Sequence, residues 1–325
     1  MDTIFISIAS CKEEFLVQTI KSAIANSDMP EMLYFGISNM VIDDVDFVSD
    51  PIFDQPNIKC LEIKFNEALG TGFGRMTASF MADKDHTYLL QVDAQNIFEK
   101  GWDTELKKYY KQLLKICDKP IISNCPTRWI DGPNKEVCLY EYGGPVIDPY
   151  YFKTTQTFSS LGINIYNRES KNNDGVFERY ASIEGSHYNW SDRQDFVEHG
   201  LIHASFMFTS FGFIHEVMHD PGNPWDGDQI NLSFRAGTRG YRMFGIKNCI
   251  VWSKDKYNKD GKLLSDYDWR NIKRGSVSLY NEKKSREFQK KIFSGEYLGY
   301  WGAPTKESID LYYKSMGTDL SKYFI

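Results

Sequence analysis

An α/β fold, with a mostly parallel sheet flanked by helices, is what this sequence predicts, and three observations predict it. Short apolar runs alternate with segments of helical period from the first residues onward, the pattern of successive β-α units. One run, Tyr88-Leu89-Leu90-Gln91-Val92, is almost wholly apolar, as a strand buried on both faces must be. It ends in Asp93-Ala94-Gln95: a carboxylate, a small residue and a second oxygen-bearing side chain. Open α/β sheets bind ligands beyond the carboxyl ends of their strands, so that tip is where chemistry is expected.

In order along the chain, Thr3 to Ala9 predicts a first strand. Glu13 to Asn26 predicts a helix, with Phe15, Leu16, Ile20, Ala23 and Ile24 on one stripe. Met32 to Ser38 and Ile58 to Phe65 predict two more strands. Gly70-Thr71-Gly72-Phe73-Gly74-Arg75 leads into a helix over Phe73 to Ala82, followed by the strand Thr87 to Val92. Asp103 to Cys117 predicts an amphipathic helix and Pro120 to Ser123 a strand. From Cys125 to about Gly200 the pattern loosens into Gly, Asn, Tyr and Ser, with a turn cluster at Asn172-Asn173-Asp174-Gly175. Long loops on such a scaffold carry recognition, so acceptor contacts are expected here. Ile202 to Ser210 returns to core character, and Gln229 to Gly237, Ser285 to Phe293 and Thr305 to Met316 predict helices, the last capped by Thr305. The division expected is a main domain over 1–255, its long loops at about 125–200, and a basic helical extension over 256–325 packed on it.

Composition narrows the function. Of 325 residues, 42% are hydrophobic and 15% aromatic, with a net charge of −6. No run approaches the roughly 18 apolar residues of a membrane span, so no membrane partner is expected. The first residues read as a core strand with no basic leader, which predicts no signal peptide and a cytoplasmic protein. Six cysteines without a CxxC pair fit a reducing compartment and no zinc site. The acidic balance argues against a mainly electrostatic nucleic-acid binder. From Tyr241 onward, though, 17 Lys+Arg face 10 Asp+Glu, a local +7 that suits a polyanion, a diphosphate or simply a solvated surface. His215 and His219 have metal-pair spacing, but Pro221 breaks a helix there, which leaves both as structural or loop residues, with His219 the better functional candidate. No Gly-x-Ser-x-Gly elbow or Cys/His pair supports acyl chemistry.

Three constellations remain. Asp93 and Gln95 offer oxygen donors to a hard cation, the Gln a neutral one, although an Asp at a strand end also serves as a turn cap. The glycines before Arg75 let backbone approach a phosphate and Arg75 pair with it, or they are a helix entry with Arg75 on the surface; the spacing is neither GxGxxG nor a Walker loop. Asp226-Gly227-Asp228-Gln229 places a carboxylate near a reacting hydroxyl, or caps the helix that continues to Arg235 and Arg239.

Taken in order, these segments resemble the cytoplasmic protein-hydroxyproline N-acetylglucosaminyltransferase family, glycosyltransferases of the GT-A fold. The likeness runs from Ile4 to about Asp319. Ile6 to Glu13 resembles that family's first strand and turn, Gly70 to Arg75 its Gly-Pro-x-x-Ala-Arg segment, and Val92-Asp93-Ala94-Gln95 its Asp-Ser-His strand tip. Phe98, Gly101-Trp102-Asp103, Glu216 to Pro221, Gly227-Asp228-Gln229, Arg235 and Thr238-Arg239-Gly240-Tyr241 follow in family order. The resemblance implies a retaining transfer of a GlcNAc-like sugar from a UDP-sugar to a hydroxyl, on a protein side chain, with Mn or Mg on the diphosphate. It implies donor contacts from Ser7, Ala9, Ser10, Lys12, Arg75, Asp93 and Arg239, metal contacts from Asp93, Gln95 and Asp255, and catalytic roles for Asp228 and Asp226. A hydroxylated DNA base as acceptor, or a non-catalytic UDP-sugar-binding protein, are the alternatives. Two departures stand out: Gln95 replaces the metal-binding His, and Ser253 replaces a later His. Either Asp255 substitutes as a ligand, or Lys254 or another cation takes the metal's place.

Overall fold

The structure is a computed structural model that describes residues 2–11, 13–41, 49–64, 67, 69–131, 137–139, 155–156, 163–171, 177–185, 195–223, 227–254, 276–316 and 319–323. Its first half runs β1 (Ile4–Cys11), α1 (Leu16–Ala25), β2 (Leu33–Val41), β3 (Ile58–Lys64), α2 (Thr71–Phe80), β4 (Tyr88–Asp93), β5 (Asn96–Phe98), α3 (Trp102–Leu113) and β6 (Pro120–Ser123). Then come β7 (Thr127–Asp131), β8 (Val137–Leu139), β9 (Thr155–Gln156), β10 (Ile163–Lys171), β11 (Phe177–Gly185), β12 (Phe196–Glu198) and β13 (Phe206–Ser210). The chain continues through α4 (Phe213–Glu216), α5 (Asp228–Gly237), β14 (Arg242–Ile246), β15 (Val251–Lys254), α6 (Ser276–Phe293) and α7 (Lys306–Met316).

The main sheet has eight strands in the order β3-β2-β1-β4-β13-β6-β14-β12. β1, β2, β3 and β4 are mutually parallel, and β14 is parallel to β6. β13 enters antiparallel between β4 and β6, and β12 is antiparallel to β14. The sheet is therefore mixed but mostly parallel. Strand order reverses at β1: the chain steps outward to β2 and β3, then returns to β4 on the other side. Ala9 pairs with Asp93 across that switch point, the place where an open α/β sheet forms its crevice.

Side-chain alternation builds the two layers. Ile4, Ile6 and Ile8 of β1 share a core with Leu16, Ile20 and Ala23 of α1 and with Trp102, Leu106, Tyr109 and Leu113 of α3. Phe5 and Leu89 point the other way, into a core with Met207, Leu232 and Ala236. A third cluster joins Ile230 and Phe234 of α5 to Ile292 and Phe293 of α6 and to Ile309, Tyr312 and Met316 of α7.

Several expectations change in detail. Asp93 is the last residue of β4, not the first beyond it. α6 begins at Ser276, nine residues before the expected start. The stretch expected as loop holds a hairpin of two nine-residue strands, β10 and β11, beside the short β9. Backbone pairing, which needs no apolar period, makes those strands, and their polar sequences hid them. Thr305 does cap α7: the Ser308 N–H donates to Thr305 Oγ1 at 3.1 Å, and the Thr305 N–H donates to Ser308 Oγ at 3.3 Å, a reciprocal capping box.

Candidate active site

Arg75 is the hub of the crevice. It lies on α2, buried against the sheet, and its Nη2 donates to Asp93 Oδ1 at 3.3 Å. Its Nη1 donates to Asp228 Oδ2. One guanidinium thus joins the tip of β4 to the first residue of α5, 135 positions apart in sequence. The Asp93 side chain keeps 29% of its surface exposed, against 7% for Asp228, so Asp93 faces the opening and Asp228 the interior. Burial holds the Asp228 carboxyl above its ordinary range, and Arg75 offsets only part of that rise. A buried carboxylate with a fixed cationic partner is what such a site needs to accept a hydrogen bond from a hydroxyl.

Local sequence explains how Asp228 gets there. Gly227 sits at φ +77°, a left-handed conformation that a glycine adopts without strain, and a Cβ there would meet the Gln289 side chain of α6. Asp228 does not cap its helix; the N-cap position is Gly227. The preceding loop rests on the start of α2, where the Gly72 N–H donates to Asn223 O at 3.2 Å. A Cβ on Gly72 would lie 2.8 Å from that oxygen, so only glycine allows the approach.

Behind Arg75 lies a polar layer of which the sequence offered His219 and Arg235 as candidates but not their partners. His219 is buried, and its Nε2 sits 2.6 Å from Gln91 Oε1. Gln91 Nε2 donates to Ala204 O at 2.7 Å, which leaves Oε1 as acceptor and assigns the His219 proton to Nε2. Desolvation first, then the positive charges of Arg75 and Arg235, hold His219 well below the ordinary histidine range. It is a neutral spacer between two arginines. Arg235 donates from Nη2 to Met218 O at 2.7 Å and from Nε to Asn231 Oδ1 at 2.6 Å, which fixes the same loop from beneath. The signal available in sequence was Gln91, a polar residue inside an otherwise apolar strand.

The other sequence-derived residues are placed as follows. Ser7 is buried on the α2 face of β1, its Oγ 3.3 Å from Ser79 Oγ. Ala9 lies opposite Asp93, and Ser10 is buried on the α1 face. Gln95 sits in the turn after β4, where its carbonyl accepts from Lys254 N at 2.8 Å and from Trp129 Nε1 at 3.2 Å. Arg239 is not brought to this cluster. It stands past the far end of α5, about 15 Å along the helix, and donates to the carbonyls of Gly299, Tyr300 and Gly302. Lys12, Asp226 and Asp255 lie outside the described residues. Trp102 and Asp103 are buried away from the opening, with Trp102 Nε1 donating to Ala23 O and Asp103 accepting the N–H groups of Asp28 and Met29. His215 is a surface residue 3.5 Å from Asp85.

Among the described residues, donors for a divalent cation are few at the tip. Asp93 offers one carboxylate already turned to Arg75, and Gln95 offers a neutral amide. Among the described residues no three His, Cys, Asp or Glu side chains converge. Among the described residues this set does not fit the metal that the resemblance implies, and Asp255, the third expected ligand, lies outside them. No helix among the described residues is long and apolar enough to cross a membrane.

Comparison with known proteins agrees with this architecture. Among solved structures, GalNAc-T7 with UDP, GalNAc and Mn2+ superposes with a TM-score of 0.52 at 13% identity, over 100% of this chain and 56% of that one. The chain thus spans just over half of that protein's length, and the likeness is one of fold, the GT-A fold. S. aureus TarS 1-349 follows with a TM-score of 0.46 at 11% identity, over 78% of this chain and 60% of that one. No curated protein matches the chain. The model of one family, described as Glycosyltransferase (GlcNAc), matches residues 43–293. That span holds Arg75, Asp93 and Asp228 and covers most of the sequence, so the chain belongs to the glycosyltransferase (GlcNAc) family.

Proposed function

We propose that this protein transfers a GlcNAc-like sugar from a UDP-sugar to an acceptor hydroxyl on a protein side chain, with retention at the anomeric carbon. The bond from the sugar to the diphosphate breaks, a bond to the acceptor oxygen forms, and UDP and a proton are released. The observation that carries this reading is the Arg75 bridge between Asp93 and Asp228 at the switch point of the sheet. Departure of a diphosphate is the main electrostatic demand of such a reaction, and a preorganised cation at the strand tip meets it. Asp228, buried and oriented by Arg75, suits a hydrogen bond to a sugar or acceptor hydroxyl, and the resemblance assigns Ser7, Ala9, Ser10 and Lys12 to the nucleotide side. Family membership and the GT-A fold support sugar transfer. GlcNAc is supported by the family's description, and a UDP donor by the resemblance and by the UDP in the GalNAc-T7 structure.

The test is UDP release across a panel of UDP-sugars, each with peptide acceptors carrying hydroxylated side chains. Release above donor hydrolysis with at least one pair is expected, and Asp93→Ala abolishes it. An Asp93→Ala protein with unchanged turnover and UDP affinity overturns the assignment of the strand tip. Donor binding with neither transfer nor hydrolysis makes the chain a binding protein instead.

A further inference from the structure

We propose that Ser205, hydrogen-bonded to His203, recognises a ring hydroxyl of the transferred sugar one strand beyond Asp93; this rests on the UDP-sugar reading above. The sheet supplies the first support. Ala9 of β1 pairs with Asp93 of β4. The Asp93 N–H donates to Ser205 O at 3.3 Å, which extends the Val92–Phe206 register of β4 and β13 by one residue. Paired residues share a face. Phe5, Leu89 and Met207 point into one core, and Ala9, Asp93 and Ser205 lie an even number of residues from them, on that same side. It is also the side of Arg75 and Asp228. The three residues therefore stand in a row across neighbouring strands, at steps of about 5 Å. The resemblance assigns Ala9 to the nucleotide, and the Arg75–Asp93 tip meets the diphosphate. The next group of a UDP-sugar is its sugar, and the next residue in the row is Ser205.

The second support is how the turn is held. Ser123, the last residue of β6, accepts from His203 N at 2.9 Å and donates to Phe206 O at 2.8 Å. The Phe206 N–H donates to His203 O at 3.0 Å. Gln91 donates to Ala204 O at 2.7 Å, so the strand that ends in Asp93 also fixes the turn beside it. Polar groups held this firmly lose little freedom when a ligand arrives.

The chemistry of the pair is the third support. Ser205 Oγ lies 2.5 Å from His203 Nδ1. Among the described residues that is the one hydrogen bond of the Ser205 hydroxyl, which has one donor and two acceptor positions. When its proton goes to the imidazole, the hydroxyl still accepts. When the imidazole supplies the proton, the hydroxyl still donates. A sugar hydroxyl does both, so it matches either state. Ser205 is buried and the His203 ring half-buried, whereas the neighbouring Asp93 side chain keeps 29% of its surface exposed. A hydroxyl bound at this depth is shielded from water, which strengthens its hydrogen bond.

Calorimetric titration with UDP, with UDP-GlcNAc and with its 3-, 4- and 6-deoxy analogues, in manganese, tests this. Ser205→Ala is expected to weaken UDP-GlcNAc binding about fivefold to tenfold and to bind UDP like the wild type. One deoxy analogue is expected to bind the wild type more weakly by the same factor, and to bind Ser205→Ala as well as UDP-GlcNAc does. Wild-type protein that binds all three analogues as tightly as UDP-GlcNAc overturns the proposal, whatever the variant does. So does a Ser205→Ala protein that binds UDP-GlcNAc like the wild type, or one that is folded by circular dichroism and loses affinity for UDP and UDP-GlcNAc alike. Wild-type protein that binds neither UDP nor UDP-GlcNAc sinks the UDP-sugar reading itself, and this proposal with it.

Discussion

Arg75 holds two carboxylates of unequal burial, and removing it takes the cationic partner from Asp228 inside the protein. Breaking a buried pair from one side typically costs about 3–5 kcal/mol, so Arg75→Met is expected to lower stability by that order in urea unfolding. Adding Asp228→Asn to it is expected to recover most of the loss, because the stranded charge is gone; a double variant no more stable than the single one contradicts the pairing. His199 gives a second prediction at this scale. Its Nε2 donates to Ser123 O at 2.9 Å and its Nδ1 accepts from Leu201 N at 3.3 Å, so only the neutral ring satisfies both partners. Burial pushes its pKa from 6.5 down to about 4. The unfolded chain takes up a proton below about pH 6.5 that the folded chain refuses, so stability is full above that pH and falls as pH drops toward the folded value. His199 alone contributes a loss of roughly 3 kcal/mol across that window, and His219 adds to it in the same direction. Urea midpoints measured from pH 7 to pH 4 are expected to decline, with a shallower slope for His199→Gln. Of these residues, Arg75, Asp93 and Asp228 were legible in sequence because each follows a strand-end or glycine signal. His219 was legible only as a candidate, since its partner Gln91 is defined by a strand pairing that no local spacing encodes.

Among elements, α2 and the 218–223 loop show how a helix start is placed by what it touches. Gly72→Ala puts a Cβ against the carbonyls of Asp220 and Asn223, which forces the loop away from α2 and shifts Asp228 from Arg75. Loss of UDP release is expected with a lowered melting temperature, whereas Gly212→Ala, where a Cβ meets nothing within 4 Å, is expected to change neither. α3 gives a contrasting case. The Trp102-Asp103 pair carries part of the family resemblance, yet Asp103 is fully buried and accepts two backbone N–H groups at the start of β2's approach. Asp103→Ala strands those donors and is expected to cost about 1–3 kcal/mol with UDP affinity retained in the folded fraction. The long parallel strands and amphipathic helices could be read from their periods. β5 and β15 could not, because Asn96–Phe98 and Val251–Lys254 mix polar with apolar residues over too short a run to show a period, and the neighbourhood of Gln95 and Lys254 depends on their pairing.

For the molecule as a whole, α5 belongs to two cores at once. Leu232 and Ala236 pack toward the main sheet, and Ile230 and Phe234 pack toward α6 and α7. The basic helices at the end of the chain therefore cover a helix that carries Asp228, and Ser285 of α6 donates to Asn223 at 3.3 Å in the loop before it. Deleting residues 276–325 is expected to expose that apolar face and give an aggregating protein, while the full chain is expected to unfold in one transition by circular dichroism; a soluble, stable 1–275 fragment contradicts this. The local +7 of the C-terminal third was legible by counting and its packing on the main domain was expected, but which of its faces shares a core with α5 was not, since the charged residues dominate its sequence.

The insertion of β13 between β4 and β6 has a consequence for synthesis. A ribosome delivers β4 and β6 long before residue 206, so the two strands that flank the gap wait, β4 with one open edge and β6 with two, while some eighty further residues emerge. Unpaired edges recruit whatever strand is near. The half of the crevice made of β1 and β4 is ready early in translation, whereas its other wall is finished only when Phe206–Ser210 fills the seam and the chain beyond it brings Asp228 to Arg75. Chains released before that point carry Asp93 at the border of an open sheet, and they are expected to depend on chaperones to stay in solution.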